Sequence, residues 1–152
     1  MELYNILVQH KKTKQIKRFK NIKDANLFIK YNNVHNFKEL NCWKEAKDFS
    51  VIVYKITSKI PSSEIYGITS QIKRAAVSIP SNIAEGAGRN TNKDFSRFIA
   101  IALGSTFELE TLFIIASELN FIDTKDIEEL NLRLNKIQKM LVNFQKHLNN
   151  EK

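Results

Sequence analysis

Residues 71 to 89 hold the polar side chains that are best placed to do chemistry together. The stretch reads QIKRAAVSIPSNIAEGAGR. Five of its polar residues fall within about 80° of one another when they are plotted at 100° per residue on a helix. These five are Arg74, Ser78, Asn82, Glu85 and Arg89. Lys and Glu dominate an ordinary solvated face, whereas this stripe sets small hydrogen-bonding side chains beside alanines and glycines, which let a second backbone come close.

A second group of small and polar residues follows on the next predicted helix. Arg97, Gly104, Ser105 and Glu108 share one side of it. Together with the five residues above, Ser105 and Glu108 make up what we call the polar seam. We interpret the seam as a hydrogen-bonded, charge-paired contact, either between two helices or between two subunits. Buried polar groups of this kind set register or oligomeric state more often than they perform catalysis.

Spacing argues against the common catalytic arrangements. None of the three histidines, His10, His35 and His147, has a glutamate three positions earlier, so the Glu-x-x-His motif of di-iron bundles is missing. No histidine follows an arginine by four to six residues, as it does in some four-helix ribonucleases. Neither a zinc-ligand spacing nor a glycine-rich phosphate loop occurs. We therefore predict that the protein is not an enzyme and holds no metal or cofactor.

A carboxylate pair is the remaining route to acid–base chemistry. Glu85 could form one with Glu108 or Glu110. Arg74 and Arg89 are close in sequence to Glu85, and a guanidinium beside a carboxylate favours an ion pair. We expect ion pairs here and no catalytic dyad.

Positive charge is concentrated at the N-terminus. The net charge of the chain is +8, and residues 1–36 contain eight basic and two acidic residues, whereas residues 37–152 contain 16 and 14. Lys and Arg that neutralise phosphates give sequence-independent, salt-sensitive affinity for nucleic acid. The candidate nucleic-acid-binding residues are Lys11, Lys12, Lys14, Lys17, Arg18, Lys20 and Lys23. The alternative is that these side chains form a solvated surface that keeps the protein soluble.

Beyond residue 36 the apolar pattern predicts an all-α fold, an up-down-up-down antiparallel four-helix bundle. Apolar residues recur every three or four positions in four segments with short connections, and short connections force neighbouring helices to be antiparallel. The predicted helices run over 37–59, from Ser62 or Ser63 to 88, from 91 to about 120, and from 124 to 148.

Local features refine these helices. Ile65 begins the inward face of the second helix, and Pro80 predicts a kink within it. Thr91 and Asp94 resemble a capping box at the start of the third helix. The third helix has the widest apolar face, so we expect it to be the most buried. The fourth carries a heptad seam from 127 to 148.

Residues 1–35 follow a different pattern and are predicted to be a separate extension to a bundle domain over 36–149. Two β-compatible runs, 3–8 and 15–19, flank the polar sequence HKKTK, and a short helix follows Asn21. This order predicts a small ββα-like extension. Partial disorder is the alternative, because an isolated hairpin is marginally stable in water.

Composition points to a cytoplasmic protein without a membrane span. The only cysteine, Cys42, excludes an intrachain disulfide, and it has no basic neighbour closer in sequence than Lys44 to activate its thiol. The N-terminus lacks the order of a signal peptide. Charged residues interrupt the most apolar segment, 95–119, so we expect it not to cross a membrane.

Three strings carry a resemblance to a known family. They are the run from Trp43 through Glu64-Ile-Tyr66-Gly67, the core QIKRAAVSIPSNIAEGAGR, and IALGSTFELET over 101–111. Residues 37–148 resemble the four-helix bundle family of 23S rRNA intervening-sequence proteins. A related branch is similar to the accessory variability determinant of diversity-generating retroelements.

The resemblance implies a ring-shaped homopentamer with no established activity, encoded within intervening sequences of bacterial 23S rRNA genes. For the related branch it implies a reverse transcriptase as partner and a basic surface that binds nucleic acid. It assigns no catalytic role to the matching residues. Residues 1–35 lie outside the family pattern, and the net charge of +2 over residues 37–152 is lower than a nucleic-acid-binding bundle would suggest.

Two functions therefore remain open. The first is a non-enzymatic oligomer whose basic surfaces bind RNA or DNA. The second is a protein-interaction scaffold, for example for a reverse transcriptase or a ribosome-associated protein, with no nucleic-acid contact of its own.

Overall fold

The computed structural model describes residues 6–9, 16–19, 23–24 and 36–150. The chain divides into two compact units, residues 1–35 and residues 36–152. We describe each unit by itself.

The N-terminal unit contains a pair of antiparallel strands, β1 (Ile6–Gln9) and β2 (Ile16–Phe19). Ile6 pairs with Phe19, and Gln9 pairs with Ile16. Residues 23 and 24 are helical. The strand pair lies close to the two β-compatible runs. The HKKTK turn and most of the expected helix lie outside the described residues, so the ββα arrangement as a whole stays a prediction.

The second unit is a four-helix bundle. Its helices are α1 (Asn41–Thr57), α2 (Ile68–Ala87), α3 (Asn92–Glu118) and α4 (Thr124–Asn150). Short 3₁₀ turns at Phe37–Glu39 and Ser62–Glu64 precede α1 and α2.

Connection lengths and contacts between helices fix the directions of the helices. Each helix packs on the next one in sequence, and α4 also packs on α1. Residues 88–91, which join α2 to α3, span at most about 14 Å, whereas α3 is about 40 Å long. α2 and α3 must therefore be antiparallel, and so must α3 and α4, which residues 119–123 join. Glu45 of α1 and Lys59 just after it pair with Lys136 and Asp126 of α4, so α1 is antiparallel to α4, and the predicted bundle is confirmed.

The core is built from the inward residues of all four helices. The heptad seam of α4 is confirmed, since Ile127, Leu130, Leu134, Ile137, Leu141 and Leu148 are buried. Aromatic rings lock pairs of helices together: Phe49 of α1 meets Phe113 of α3 edge-to-face, with ring centroids 6.5 Å apart. Phe95 of α3 meets Phe144 of α4 in the same way at 5.2 Å. Such pairs stabilise a core beyond their buried area.

The start of α2 differs from the prediction. Ser62 and Ser63 begin only a 3₁₀ turn, and α2 begins at Ile68 with Gly67 as its N-cap. The N-cap positions of the two elements are held by Pro61 and Gly67, so neither serine caps the helix as expected. Ile65 falls in the connection and is exposed, so its prediction as an inward residue is wrong.

The end of α2 shows why one of its glycines is needed. The helix continues through Gly86 to Ala87, and the Gly88 N–H donates to the Glu85 carbonyl oxygen at 3.1 Å. A Cβ atom at Gly86 would lie 2.5 Å from Cδ2 of Phe95. Gly86 therefore permits the close approach of α2 and α3 and does not simply end the helix. Pro80 lies inside α2, as expected.

The ends of α3 follow known capping chemistry. Thr91 Oγ1 accepts a hydrogen bond from the Asp94 N–H at 3.0 Å, which confirms the predicted cap. At the other end Asn120 has a φ of 57°, in the left-handed region. The Phe121 N–H donates to the Ala116 carbonyl oxygen at 2.8 Å. This pattern is a Schellman motif with asparagine in the place glycine usually takes.

The prediction that the third helix is the most buried is wrong. Nine of the 27 residues of α3 are buried, whereas α2 buries eight of its 20, a larger share. Large apolar side chains on the outer side of α3 remain exposed, among them Ile101, Phe107, Ile114 and Ile115. The sequence shows that these residues are apolar, but it does not show which side of α3 the other helices cover.

By length and composition alone, α3 could cross a membrane. A window of 18 residues within it has a mean hydropathy of 1.8 and at most two charged residues. The core helix of a soluble bundle passes the same test. The expectation that this segment does not span a membrane stays a prediction.

Candidate functional site

The middle of the polar seam joins α2 to α3 within one chain. The hydroxyl oxygens of Ser78 and Ser105 are 2.8 Å apart. The Asn82 side-chain amide donates to Ser78 Oγ at 3.0 Å, and the Ser105 hydroxyl donates to the Ile101 carbonyl oxygen at 3.2 Å. These bonds fit one donor direction, from Asn82 to Ser78 to Ser105 to Ile101. This part of the seam is therefore a contact between two helices.

One end of the seam is an ion pair. Glu85 and Arg89, one helical turn apart, form a salt bridge, as expected from their spacing. The Arg89 guanidinium also lies over the ring of Phe98 on α3, 4.4 Å from its centroid. Glu110 accepts a hydrogen bond from the Gln138 side-chain amide at 2.9 Å. Glu85 and Glu110 therefore have separate partners.

At its other end the seam opens into a cavity. Arg74 and Glu108 are exposed and line the same cavity of about 680 Å³. Within residues 36–150 neither side chain makes a hydrogen bond or an ion pair. Arg74 therefore does not pair with a carboxylate within the bundle of one chain, and its pairing between two subunits stays a prediction.

Aromatic side chains also line this cavity, and sequence reasoning did not find them. Tyr54 of α1 and Tyr66 of the α1–α2 connection line it, together with Lys73 of α2. The Lys73 ammonium lies 5.2 Å from the centroid of the Tyr54 ring. One signal was available: Tyr54 follows the inward residue Val53 and so falls outside the apolar stripe of its helix, where a large aromatic residue is unusual.

Two exposed apolar surfaces flank the seam. The first is the outer side of α3, where the exposed fractions of Ile101 and Phe107 are 52% and 54%. The second is a groove between α1 and α2 lined by Lys47, Ser50, Val51, Tyr54, Val77 and Pro80. Exposed apolar patches larger than scattered single residues commonly mark interfaces.

Comparison with known protein families shows that most of the chain matches one of them. Residues 38–143 match the family model of the 23S rRNA-intervening sequence protein. The chain belongs to this family. The match covers the bundle from the first 3₁₀ turn to within seven residues of the end of α4 and leaves the N-terminal unit outside.

A solved structure shares the fold of this 23S rRNA-intervening sequence protein. It is the crystal structure of a protein of unknown function of the S23 ribosomal protein family from Bacteroides thetaiotaomicron. The two are similar with a TM-score of 0.65 and 23% sequence identity, over 69% of this chain and 95% of the other. At this identity the likeness shows the fold alone. Among curated proteins, no relative matches the chain.

The candidate nucleic-acid-binding residues lie in the N-terminal unit. Lys17 and Arg18 are in β2, where their backbones pair with Val8 and Leu7. Lys23 is exposed. Lys11, Lys12, Lys14 and Lys20 lie outside the described residues.

The environment of the one cysteine does not activate its thiol. Cys42 is buried in the bundle, and burial raises the pKa of its thiol. A raised pKa keeps the sulfur protonated at neutral pH, whereas a catalytic cysteine needs the thiolate. In the part of the chain that the structure describes, His, Cys, Asp and Glu side chains do not gather into a group of three that could hold a metal ion.

Proposed function

We propose that this 23S rRNA-intervening sequence protein is a non-enzymatic oligomer in which the bundle assembles several copies and the N-terminal units bind RNA or DNA. The observation that carries the proposal is the separation of charge along the chain. Residues 1–36 contain eight basic and two acidic residues, against 16 and 14 in the rest. A bundle with balanced charge suits assembly, and a basic extension suits phosphate binding.

Assembly is supported by the outer side of α3. Its exposed isoleucines and Phe107 lie on the half of α3 that faces away from the core, where water would be expected to meet polar side chains. Burying this surface against another copy would stabilise the assembly by about 25 cal/mol for each Å² of apolar area removed from water. We propose a homo-oligomer with five copies, the number that the family resemblance implies.

Repetition of the basic unit would give affinity that a single copy lacks. Each N-terminal unit can neutralise only a few phosphates, and such contacts are weak at physiological salt. Several units held on one oligomer bind a long RNA with a high effective concentration, which can raise the affinity by about 10²- to 10⁴-fold.

An electrophoretic shift across a salt series tests nucleic-acid binding. The protein is titrated onto a labelled 23S rRNA fragment at several salt concentrations. We expect binding that weakens steeply as salt rises, because each phosphate contact releases counterions. A variant in which the seven candidate basic side chains of residues 11–23 are replaced by glutamine should bind much more weakly.

The control replaces seven lysines of the bundle unit, all exposed and scattered over its surface, by glutamine. They are Lys38, Lys44, Lys55, Lys93, Lys125, Lys139 and Lys146. This control loses the same charge and should keep most of its affinity. Equal loss in both variants would indicate nonspecific attraction by net charge and would contradict the proposal.

The second candidate function is a scaffold for a protein partner. The groove between α1 and α2 favours it, because Val51 and Val77 expose apolar surface there beside Pro80. We propose a reverse transcriptase or a ribosome-associated protein as the partner in this case. Absence of any salt-sensitive RNA shift, together with copurification of one such protein that a Val77→Glu variant loses, would favour the scaffold.

We also propose that the protein is not an enzyme and that it is located in the cytoplasm. Glu85 is held by Arg89, and Cys42 is a buried thiol, so neither is prepared for catalysis. Cleavage of RNA by the purified protein, lost on substitution of Glu85 or Glu108, would contradict the first proposal.

A further inference from the structure

The cavity at the open end of the polar seam combines groups that no structural role of the bundle explains. It has a volume of about 680 Å³, within the range of roughly 300–1,000 Å³ that is usual for small-molecule sites. Its walls come from α1, α2, α3 and the α1–α2 connection. All of these residues belong to the bundle unit.

Aromatic rings form one side of the cavity without being part of the core. Tyr66 is 94% exposed and Tyr54 is 46% exposed. Stacking of a nucleobase on an aromatic side chain contributes about 1–3 kcal/mol, and every base has a face that can stack. An exposed tyrosine beside a cavity is therefore suited to hold a planar ring.

Two basic side chains line the same cavity. The Arg74 guanidinium has no polar partner within residues 36–150, and the Lys73 ammonium sits near the Tyr54 ring. Arginine binds phosphate through two parallel hydrogen bonds, and lysine adds a point charge. A ligand that carries both a planar ring and a phosphate would use the aromatic and the cationic groups together.

The carboxylate of Glu108 further limits the kinds of ligand that would fit the cavity. It lines the same cavity and also lacks a polar partner in the described bundle. A carboxylate repels a bare anion, but it accepts hydrogen bonds from the amino or ring N–H groups of a base. The hydroxyls of Ser70 and Ser81 line the same cavity and make no hydrogen bond within the described bundle, so they are available to the hydroxyls of a sugar.

We propose that this cavity binds a nucleoside phosphate, with the base on Tyr54 and Tyr66 and the phosphate at Arg74. The ligand is either a free nucleotide or one unit of a single strand. The site does not depend on nucleic-acid binding by the N-terminal unit, because all its residues lie in the bundle.

Calorimetry with the four ribonucleoside 5′-monophosphates, a single-stranded hexanucleotide and inorganic phosphate tests the proposal. The protein used is the full chain with the seven N-terminal basic side chains replaced by glutamine, so that loss of the N-terminal contacts cannot be confused with loss of this site. We expect at least one nucleotide probe to bind, and inorganic phosphate to bind much more weakly. Tighter binding of the hexanucleotide would identify a strand as the source, and equal or tighter binding of a monophosphate would identify the free nucleotide.

Two variants and a control locate the binding. Tyr66→Ala and Arg74→Gln should each weaken binding about tenfold or more, as expected for loss of a stacking or a phosphate contact. Both side chains are exposed, so the variants should keep the circular dichroism and unfolding midpoint of the parent. The control Lys139→Gln, on the groove between α3 and α4, removes a positive charge away from the cavity and should leave binding unchanged. Absence of binding by all nucleotide probes, or equal binding by the parent and both variants, would overturn the proposal.

Discussion

At the scale of single residues, the close contact between α2 and α3 depends on residues with small side chains. Gly86 leaves room for the ring of Phe95 and the Cβ atom of Phe98, and the Ser78 and Ser105 hydroxyls meet across the same pair of helices. Larger side chains at these positions would push the two helices apart. The proposed assembly surface on α3 would then shift relative to the rest of the bundle.

Substitution of Gly86 tests this close approach. A Cβ atom there would lie 2.5 Å from Phe95 Cδ2 and 2.7 Å from Phe98 Cβ, well inside normal contact. Overpacking of this kind typically costs about 1–3 kcal/mol. We expect Gly86→Ala to lower the free energy of unfolding in urea by that amount.

Gly104 provides the matched control. It lies within α3, and a Cβ atom added there would meet no other atom within 4 Å. Gly104→Ala should raise the free energy of unfolding by about 0.5–1 kcal/mol, because alanine restricts the unfolded chain and favours the helix. Equal effects of the two substitutions would show that helix propensity and not packing governs Gly86.

A double-mutant cycle tests the serine contact. Ser78→Ala and Ser105→Ala should each reduce the free energy of unfolding by about 1 kcal/mol, since each leaves a partly buried polar partner without its bond. The double variant should lose less than the sum of the two, because both single changes break the same interaction. Strict additivity would place the two hydroxyls in separate networks.

At the scale of elements, α3 has apolar side chains both on its core side and on its outer side. One side buries Phe95, Ile99 and Phe113 in the core, and the other exposes isoleucines and Phe107. The sequence shows a wide apolar face, and for that reason it predicts, wrongly, that α3 is the most buried helix. An apolar surface on both sides fits a helix that is covered on its outer side as well, by another copy of the chain.

Charge on the outer face of α3 should prevent assembly. We expect a variant with Ile101→Glu and Phe107→Glu to remain folded but to lose mass in light scattering, falling towards a monomer. Both residues are more than half exposed, so the core should tolerate the change. The control Leu132→Glu, 74% exposed on α4, should keep the mass of the parent protein. A parent protein that is monomeric at every concentration would contradict assembly altogether.

At the scale of the whole molecule, the sequence predicts the bundle well because its helices carry strong periodic signals. It also predicts the centre of the polar seam, since Ser78, Asn82 and Ser105 are small and polar at helical spacing. Whether that centre joined helices or subunits could not be decided without knowing which faces of α2 and α3 meet. The structure shows that it joins helices.

The cavity could not be predicted for a related reason. Tyr54 and Arg74 are 20 positions apart, and they come together only through the rotation of α1 and α2 about their axes. Periodicity fixes which side of each helix is apolar but not that rotation to within one side chain. α2 begins only at Ile68 with Gly67 as its N-cap, although Ser62 and Ser63 are better N-cap residues by type, so Ile65 and Tyr66 fall in the connection.

Assembly by the bundle and binding by the N-terminal unit are tested together by one comparison. The affinity of the parent protein and of the Ile101→Glu, Phe107→Glu variant is measured by fluorescence anisotropy on a short RNA and on a long one. We expect equal affinity for the short RNA, which occupies one N-terminal unit, and at least tenfold tighter binding of the long RNA by the parent. Equal affinity of both proteins for the long RNA, or no binding of either RNA, would contradict the proposed function.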